Sequence, residues 1–309
     1  MRNALRLVGG AVLLVALVAS AATWWLFYDN RMPTSGSFTL DLAAVRREAT
    51  RLPGPGPRRI EVEILSHTDV PRIGIVAGSD WGKLDMTRTS YRLVYPGRSI
   101  IVDTGNSLAL ARQFGARSYD IGAWRRLITA MDRASDIVVT HEHADHIGGL
   151  VESPHLAAII GHARVTREQL AEPAVMRPLR WPSGLRPTPL VYCPLHALAP
   201  GVVLIKAPGH TPGSQMIYVR RADGREFLFM GDVASAADNV ALQRIRPRYT
   251  TSWLGGHHDD RRAVMLEVRA LHRLALNDPA LVLVPGHDAV AIEAMVREGL
   301  LVRGFHLHG

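Results

Sequence analysis

The chain has 309 residues, 47% of them hydrophobic and 21% charged, a balance that suits a packed globular protein of one large or two small domains and excludes a disordered or fibrous one. Arginine supplies nearly all of the positive charge behind the net +8, since Lys83 and Lys206 are the only lysines; the arginines are scattered rather than clustered, which argues against nucleic acid as a partner. Cys193 is the only cysteine, so an internal disulfide and a cysteine-based zinc site are both excluded, and the residue is expected to be small, apolar and buried.

Arg2 and Arg6 precede an uncharged run from Leu7 to Tyr28 that is broken only by Ser20 and Thr23. Its length is that of a helix spanning a hydrocarbon core. Two readings compete for residues 1–30. A cleaved signal peptide would use Leu7 to Val18 as its apolar stretch and Ala19-Ser20-Ala21 as its small-residue site. A membrane anchor would include Trp24, Trp25, Phe27 and Tyr28 as an aromatic belt at the membrane–water interface, and that continuation favours the anchor. Positive charge before the span and little after it places the remainder outside the cytoplasm in either case, on the periplasmic side in a bacterium.

Residues 31–57 have the composition of a linker, with Pro and Gly alternating from Pro53 to Pro57 and one short amphipathic helix expected over Leu40 to Ala49. From Arg58 onward one catalytic domain, 58–309, is expected. Ile60 to Leu65 alternates as a half-buried strand should, and Tyr91–Tyr95 and Ser99–Val102 form a strand pair about a Pro96-Gly97 turn. Arg125–Arg133 and Asp260–Leu276 carry helical spacing. Short apolar runs suited to buried strands recur at Ile137–Val139, Ala157–Ile160, Val202–Ile205, Met216–Val219, Phe227–Met230 and Leu281–Val284. Strands interleaved with helices imply a layered α/β protein.

The chemistry is concentrated in Thr140-His141-Glu142-His143-Ala144-Asp145-His146, where three histidines and an aspartate follow directly on an apolar strand. A divalent metal needs several nitrogen or oxygen ligands converging on one point, and imidazole with carboxylate suits zinc-like ions. Three later strands end in the same way: Val203–Ile205 leads through Pro208-Gly209 to His210, Phe227–Met230 through Gly231 to Asp232, and Leu281–Val284 through Pro285-Gly286 to His287. Each glycine is expected to let the backbone turn sharply before the ligand.

This set, together with Ile101-Val102-Asp103-Thr104-Gly105, resembles the metallo-β-lactamase superfamily over roughly residues 58–300. The resemblance implies an α/β fold, the four-layer αββα sandwich, and two divalent metal ions, most naturally zinc. By that resemblance His141, His143 and His210 hold the first ion, Asp145, His146 and His287 the second, and Asp232 bridges them; Asp145 and Asp232 are the expected catalytic carboxylates, and Asp103 orients the ligand loops from behind. Two metals about 3.5–4 Å apart generate a bridging hydroxide near neutral pH and polarise a carbonyl or phosphoryl oxygen. The β-lactamases of the superfamily lack the bridging aspartate, which directs expectation to a small-molecule lactone, carboxylic ester or thioester. Pro208 to Gln215 looks like the quorum-quenching lactonase group, whose tyrosine three residues after the bridging aspartate is Ser235 here, with Tyr249 as a candidate substitute.

A phosphodiesterase or nuclease on the same metals, and a non-catalytic membrane-tethered binding protein, are the competing readings; the second is expected to lack a ligand, and all seven positions are filled. His257-His258 is expected to flank the helix that follows, and His306 and His308 to belong to an exposed or docked terminus. His67, His155, His162, His196 and His272 match no ligand pattern. Trp81, Trp124, Trp181 and Trp253 suit core or pocket walls. The stretch between Thr166 and Pro200, with Trp181 and Tyr192, is a candidate cover for the site.

Overall fold

A computed structural model describes residues 2–171, 178–253 and 259–307. His257, His258 and His308 lie outside the described residues. The N-terminal helix Arg2–Thr23 continues into the wider helical turn Trp24–Tyr28; its apolar window is not buried in the protein, and only Leu26 and Phe27 at its end are half-covered. The helix Leu42–Ala49, capped by Asp41 through the Ala44 N–H at 3.0 Å, folds back onto the domain with Val45 and Ala49 buried.

Eleven strands follow among the described residues: β1 (Arg59–Pro71), β2 (Lys83–Tyr95), β3 (Arg98–Val102), β4 (Ser118–Tyr119), β5 (Asp136–Val138), β6 (Leu195–Ala199), β7 (Val202–Lys206), β8 (Gln215–Arg220), β9 (Glu226–Phe229), β10 (Val282–Val284) and β11 (Val302–Arg303). One sheet has the order β11-β1-β2-β3-β5, with β4 added beside β1, and the other runs β10-β9-β8-β7-β6. Alternation along the strands sorts side chains between layers. Ile60, Val62, Ile100 and Val102 meet Val202, Leu204, Ile217 and Phe229 between the sheets. Ile101 and Ile137 point the other way, onto Leu127 and Met131 of the helix Ile121–Asp132 and Ile147 of the helix Ala144–Val151. Val203, Met216 and Leu228 pack outward against Val264, Val268 and Leu271 of the helix Arg261–Asn277. The layers are therefore helix, sheet, sheet, helix, as the sequence resemblance implied.

Two expectations change. Ala157–Ile160 is not a strand: the helix Leu156–Ile159 runs into a 3₁₀ turn over Ile160–His162. Only Leu156 and Ile159 of that helix are buried, a spacing of three that a helix turns to one face and a strand does not. Cys193 is exposed, because it lies just ahead of β6, the edge strand of the second sheet, rather than within a layer.

The topology sets the site. β3 and β5 are parallel, β9 and β10 are parallel, and β7 runs in the direction of β9 because each is antiparallel to β8. Asp103, the His141–His146 loop, His210, Asp232 and His287 all follow the carboxyl ends of these strands. The two sheets meet there through Thr87 N to His287 O at 2.7 Å and Gln215 N to Thr140 O at 2.8 Å.

Candidate metal centre

The seven side chains singled out in the sequence converge in two groups. His141, His143, His210 and Asp232 form one, Asp145, His146 and His287 the other, and within each group the donor atoms lie within 4.8 Å of one another. In the first, His141 Nε2 is 2.9 Å and His210 Nε2 3.0 Å from His143 Nδ1, while Asp232 Oδ2 is 3.6 Å from His210 Nε2. In the second, His146 Nε2 is 3.1 Å from His287 Nε2, and His287 Nε2 is 3.6 Å from Asp145 Oδ2. Asp232 Oδ1 stands 3.0 Å from His287 Nε2, so this one carboxylate touches both groups. Donors around a four-coordinate zinc ion, at bond lengths of about 2.0–2.1 Å, are about 3.3 Å apart. The spacing found here brackets that value.

Hydrogen bonds behind the ligands decide which nitrogen of each ring faces inward. His287 Nδ1 is 2.7 Å from the Thr87 carbonyl oxygen, which only accepts, so Nδ1 carries the proton and Nε2 presents a lone pair. His146 Nδ1 donates to Asp103 Oδ2 at 2.9 Å, with the same result. Two lone pairs facing each other across 3.1 Å repel unless a cation lies between them, either a metal ion or, without one, a proton on His146. Asp232 Oδ1, buried and without a hydrogen-bond donor, adds an anionic oxygen to the same place. His210 Nδ1 lies 3.1 Å from Asp259 Oδ1 and turns its Nε2 inward in the same way. This donor set fits divalent metal ions.

Asp103 is the hub of the support. Its carboxylate accepts from Thr140 N at 2.6 Å and Thr140 Oγ1 at 2.9 Å as well as from His146, and its φ of +53° turns the chain sharply after β3. Asp and Asn tolerate that left-handed conformation better than most residues. Glu142, at the centre of the motif, points away from the donors and ties two loops together, accepting from Thr211 Oγ1 at 2.8 Å and Gly213 N at 3.1 Å. Of the glycines before the ligands, only Gly231 has a positive φ, +53°. Gly286 is required for space instead: a Cβ there would sit 2.5 Å from Asp232 Oδ1 and 2.8 Å from the Gly231 carbonyl oxygen.

Charge at the site is balanced by two arginines that no motif revealed. Arg88, from β2, places Nε 2.7 Å from Asp145 Oδ2. Arg246 donates through one Nη to Asp232 Oδ2 and, at 2.7 Å, to Ser235 Oγ. Burial works against ionisation of Asp232, but His287 and Arg246 outweigh it and hold the carboxyl well below the usual range. Burial is likewise overcome at Asp145 by Arg88, His146 and His287. At His146 burial opposes charge while Asp103 favours it more strongly, and the ring is pushed up to about 9; His141 is driven well down by burial and by His146 and His210. Arg88, Asp259 and Arg246 lie 57, 49 and 14 residues from Asp145, His210 and Asp232; the one local signal is that Asp259 immediately precedes the helix cap Asp260.

Of the residues set aside in the sequence, the described histidines remain outside the centre. His67 pairs with Asp85 at 3.0 Å, His155 with Asp132 at 2.9 Å, His272 with the Val240 carbonyl oxygen at 2.9 Å, and His162 with the Ser135 carbonyl oxygen at 3.3 Å. His196 lies beside the Tyr192 ring at 5.5 Å, and His306 Nε2 is 3.2 Å from the Arg303 carbonyl oxygen. Trp124 and Trp181 pack against the helix–sheet core, but Trp81 is 60% exposed, neither core nor pocket wall. The Tyr192 hydroxyl donates to Gln215. Tyr249 does not replace the missing tyrosine, since its ring is stacked on Phe27 with centroids 4.7 Å apart; the group beside Ser235 is Arg246.

Comparisons with known proteins agree with this architecture. No curated protein matches the sequence. Among solved structures, an N-acyl homoserine lactone hydrolase with its product N-hexanoyl-L-homoserine at the catalytic metal centre is 16% identical with a TM-score of 0.61, over 77% of this chain and 96% of that one. A quorum-quenching N-acyl homoserine lactone lactonase is 17% identical with a TM-score of 0.61, over 77% and 95%. A probable metal-dependent hydrolase from Staphylococcus aureus is 15% identical with a TM-score of 0.54, over 76% and 91%. At these identities the likeness is one of fold. The family model described as the metallo-beta-lactamase superfamily matches residues 85–287, which take in all seven converging side chains and most of the chain, and the protein belongs to that superfamily as a metal-dependent hydrolase.

Proposed function

We propose that the protein hydrolyses an ester-like bond in a small molecule (a lactone, carboxylic ester or thioester) with a pair of zinc ions. His141, His143 and His210 would hold one ion and Asp145, His146 and His287 the other, with Asp232 shared. The observation that carries this reading is the position of Asp232, whose two oxygens lie 3.6 Å from His210 Nε2 and 3.0 Å from His287 Nε2. Such ions, when bound, polarise the scissile carbonyl and bring the pKa of water towards neutrality.

The chain's own groups do the rest. Asp103, Asp259 and the Thr87 carbonyl fix the ligand tautomers, so the donors are preorganised before any ion arrives. Burial of the histidines and Asp232 excludes water and strengthens each electrostatic contact. Arg246 stays charged, and a guanidinium that cannot release a proton acts on substrate oxygens by charge and hydrogen bonding rather than as a general acid.

The test is a panel of aryl ester, lactone, thioester and phosphodiester substrates given to the metal-loaded full chain in detergent. Ester-class turnover should disappear on chelation and return with zinc, and Asp232→Ala should reduce it by orders of magnitude. Inactivity of protein holding two zinc ions across the ester-class panel would refute the reading. A phosphodiester is the second reading, favoured by the buried guanidinium beside each ligand carboxylate, and selective turnover of that substrate would establish it.

We also read the helix over Arg6–Tyr28 as a membrane anchor with the catalytic domain outside the cytoplasm. It is long and apolar enough to span, and none of it is buried in the protein, which a core helix would be. Alkaline extraction of membranes checks this, since release of an N-terminally shortened chain would show signal cleavage instead.

A further inference from the structure

The joint between the apolar helix and the catalytic domain is rigid. Asp29, which follows the helix directly, is only 3% exposed and accepts from Arg31 Nε at 2.8 Å and from Arg248 at 3.0 Å, while Arg261 donates to its carbonyl oxygen at 3.3 Å. The Asn30 amide donates to the Gln243 carbonyl oxygen at 2.8 Å and accepts from Ile245 N at 3.0 Å. On the other side, the Phe27 carbonyl oxygen accepts from Gly78 N at 2.8 Å. No free linker separates helix from domain at this point.

Around the joint lies an aromatic surface. The Phe27 ring stacks on Tyr249 at 4.7 Å and meets Trp81 at 5.3 Å. Trp81 is 60% exposed, Trp24 and Trp25 48% each, and Tyr249 37%. Arg31 lies over the Trp24 ring at 5.4 Å and Arg248 over Trp25 at 5.1 Å. Tryptophan, tyrosine and arginine at the end of an apolar span are the side chains that settle at the headgroup level. The level itself follows from length: the 23-residue span is about 34 Å long at about 1.5 Å per residue, close to the thickness of a hydrocarbon core of about 30 Å. Its last turn, with Trp81 and Tyr249 beside it, then lies where the core gives way to headgroups.

We propose that Trp24, Trp25, Phe27, Tyr28, Trp81 and Tyr249 form an interfacial platform through which the catalytic domain itself sits on the lipid surface, Trp81 and Tyr249 being contacts made by the domain rather than by the anchor. The proposal rests on the anchor reading above. It has a consequence for the site, because the segment that bears Tyr249 also bears Arg246. Three residues span at most about 11 Å, so the guanidinium flank of Asp232 is held near the bilayer.

Spin labels on the full chain in phospholipid vesicles test this. In a Cys193→Ser background, single labels are introduced by Leu14→Cys, Trp81→Cys and Leu276→Cys, and accessibility to oxygen is compared with accessibility to a water-soluble nickel chelate. Leu276 is 69% exposed and about 22 Å along its helix from Arg261, so it reports on solvent away from the joint. The expected result is a deep lipid signature at residue 14 and an oxygen-to-nickel ratio at residue 81 several-fold above that at residue 276. A residue-81 ratio equal to that at residue 276, with residue 14 still deep, overturns the platform and leaves the anchor standing. A water-exposed residue 14 overturns both. Dipolar broadening between residue-81 labels in diluted vesicles assigns the surface to a second copy of the chain and overturns the lipid contact.

Discussion

Asp103→Asn tests whether the hub behind the ligands controls one metal position and spares the other. Asparagine keeps the shape and tolerates the φ of +53°, so the variant should fold without new backbone strain. Its oxygen can still accept from Thr140 N, now 2.6 Å from Asp103 Oδ1. Its amide then faces His146 Nδ1, 2.9 Å from the present Oδ2, and two donors oppose each other. The least costly relief is for His146 to move its proton to Nε2, the atom that faces His287 at 3.1 Å, and that removes a lone pair from the second donor group. A hydrogen bond to a charged group contributes about 1.5–3 kcal/mol, equivalent to roughly 10–150-fold in affinity, and losses of about 10–100-fold are usual when a partner behind a metal ligand is changed. Zinc titration of the metal-free variant against a chelator of known affinity measures both sites. On the two-ion assignment proposed above, one dissociation constant should weaken by about 10–100-fold while the other, at His141, His143 and His210, moves by no more than a few-fold. Equal weakening of both, or of neither, would refute the assignment of Asp103 to the His146 side.

Three further perturbations follow from the same contacts. Arg246→Met removes one partner of a buried ion pair, a change that costs about 3–5 kcal/mol, equivalent to a melting-temperature loss of about 6–20 °C, in the metal-free state; bound metal ions supply Asp232 with other cations, so the loss measured with zinc present should be much smaller, and equal losses would contradict this. Gly286→Ala forces a Cβ to within 2.5 Å of Asp232 Oδ1, so elemental analysis should find substoichiometric metal, and an unaltered metal content would show that the shared carboxylate does not need that space. Glu267, held up to about 8 mainly by burial, binds its proton more tightly folded than unfolded, so the metal-free protein should lose up to a few kcal/mol of stability as pH rises from about 4.5 through about 8. Glu267→Gln should flatten that loss in denaturant titrations at pH 6 and 8.5, and an unchanged slope would assign it to other groups.

Most of the strands and the side chains that converge after them were legible in the sequence because both are local patterns. Val203 to Ile205 and Phe227 to Phe229 are short apolar runs that form strands, followed within a few residues by His210 and Asp232, whereas the similar run Ala157 to Ile160 is helical. What escaped depends on distance. Arg88 sits within β2, where nothing nearby marks it as the partner of Asp145, 57 residues later. Asp259 reaches His210 across 49 residues, and Arg246 reaches Asp232 from a loop with no pattern of its own. The glycines were identified for a partly mistaken reason: turning was expected at all three, but Gly286 is held by the volume of Asp232 and Gly231 alone by its φ. Such exclusions arise between segments that meet only after folding.

Neighbouring residues contact both the end of the apolar helix and Asp232. Between Gln243 and Arg261, Ile245 N donates to Asn30, Arg246 to Asp232, Arg248 to Asp29, and Arg261 to the carbonyl oxygens of Arg246 and Asp29. The same few residues therefore secure the end of the apolar helix and one side of the shared metal carboxylate. A buried carboxylate left without its cation is costly, so Asp232 holds Arg246 and Asp29 holds Arg248, two residues later. Displacing Asp29 would loosen Arg248 and Arg261 together, and the Arg246 carbonyl, bound by Arg261 at 2.7 Å, is the next point to give way. The position of the guanidinium beside the metal centre is in this way tied to how the helix is seated as well as to Asp232 and Ser235 after β9.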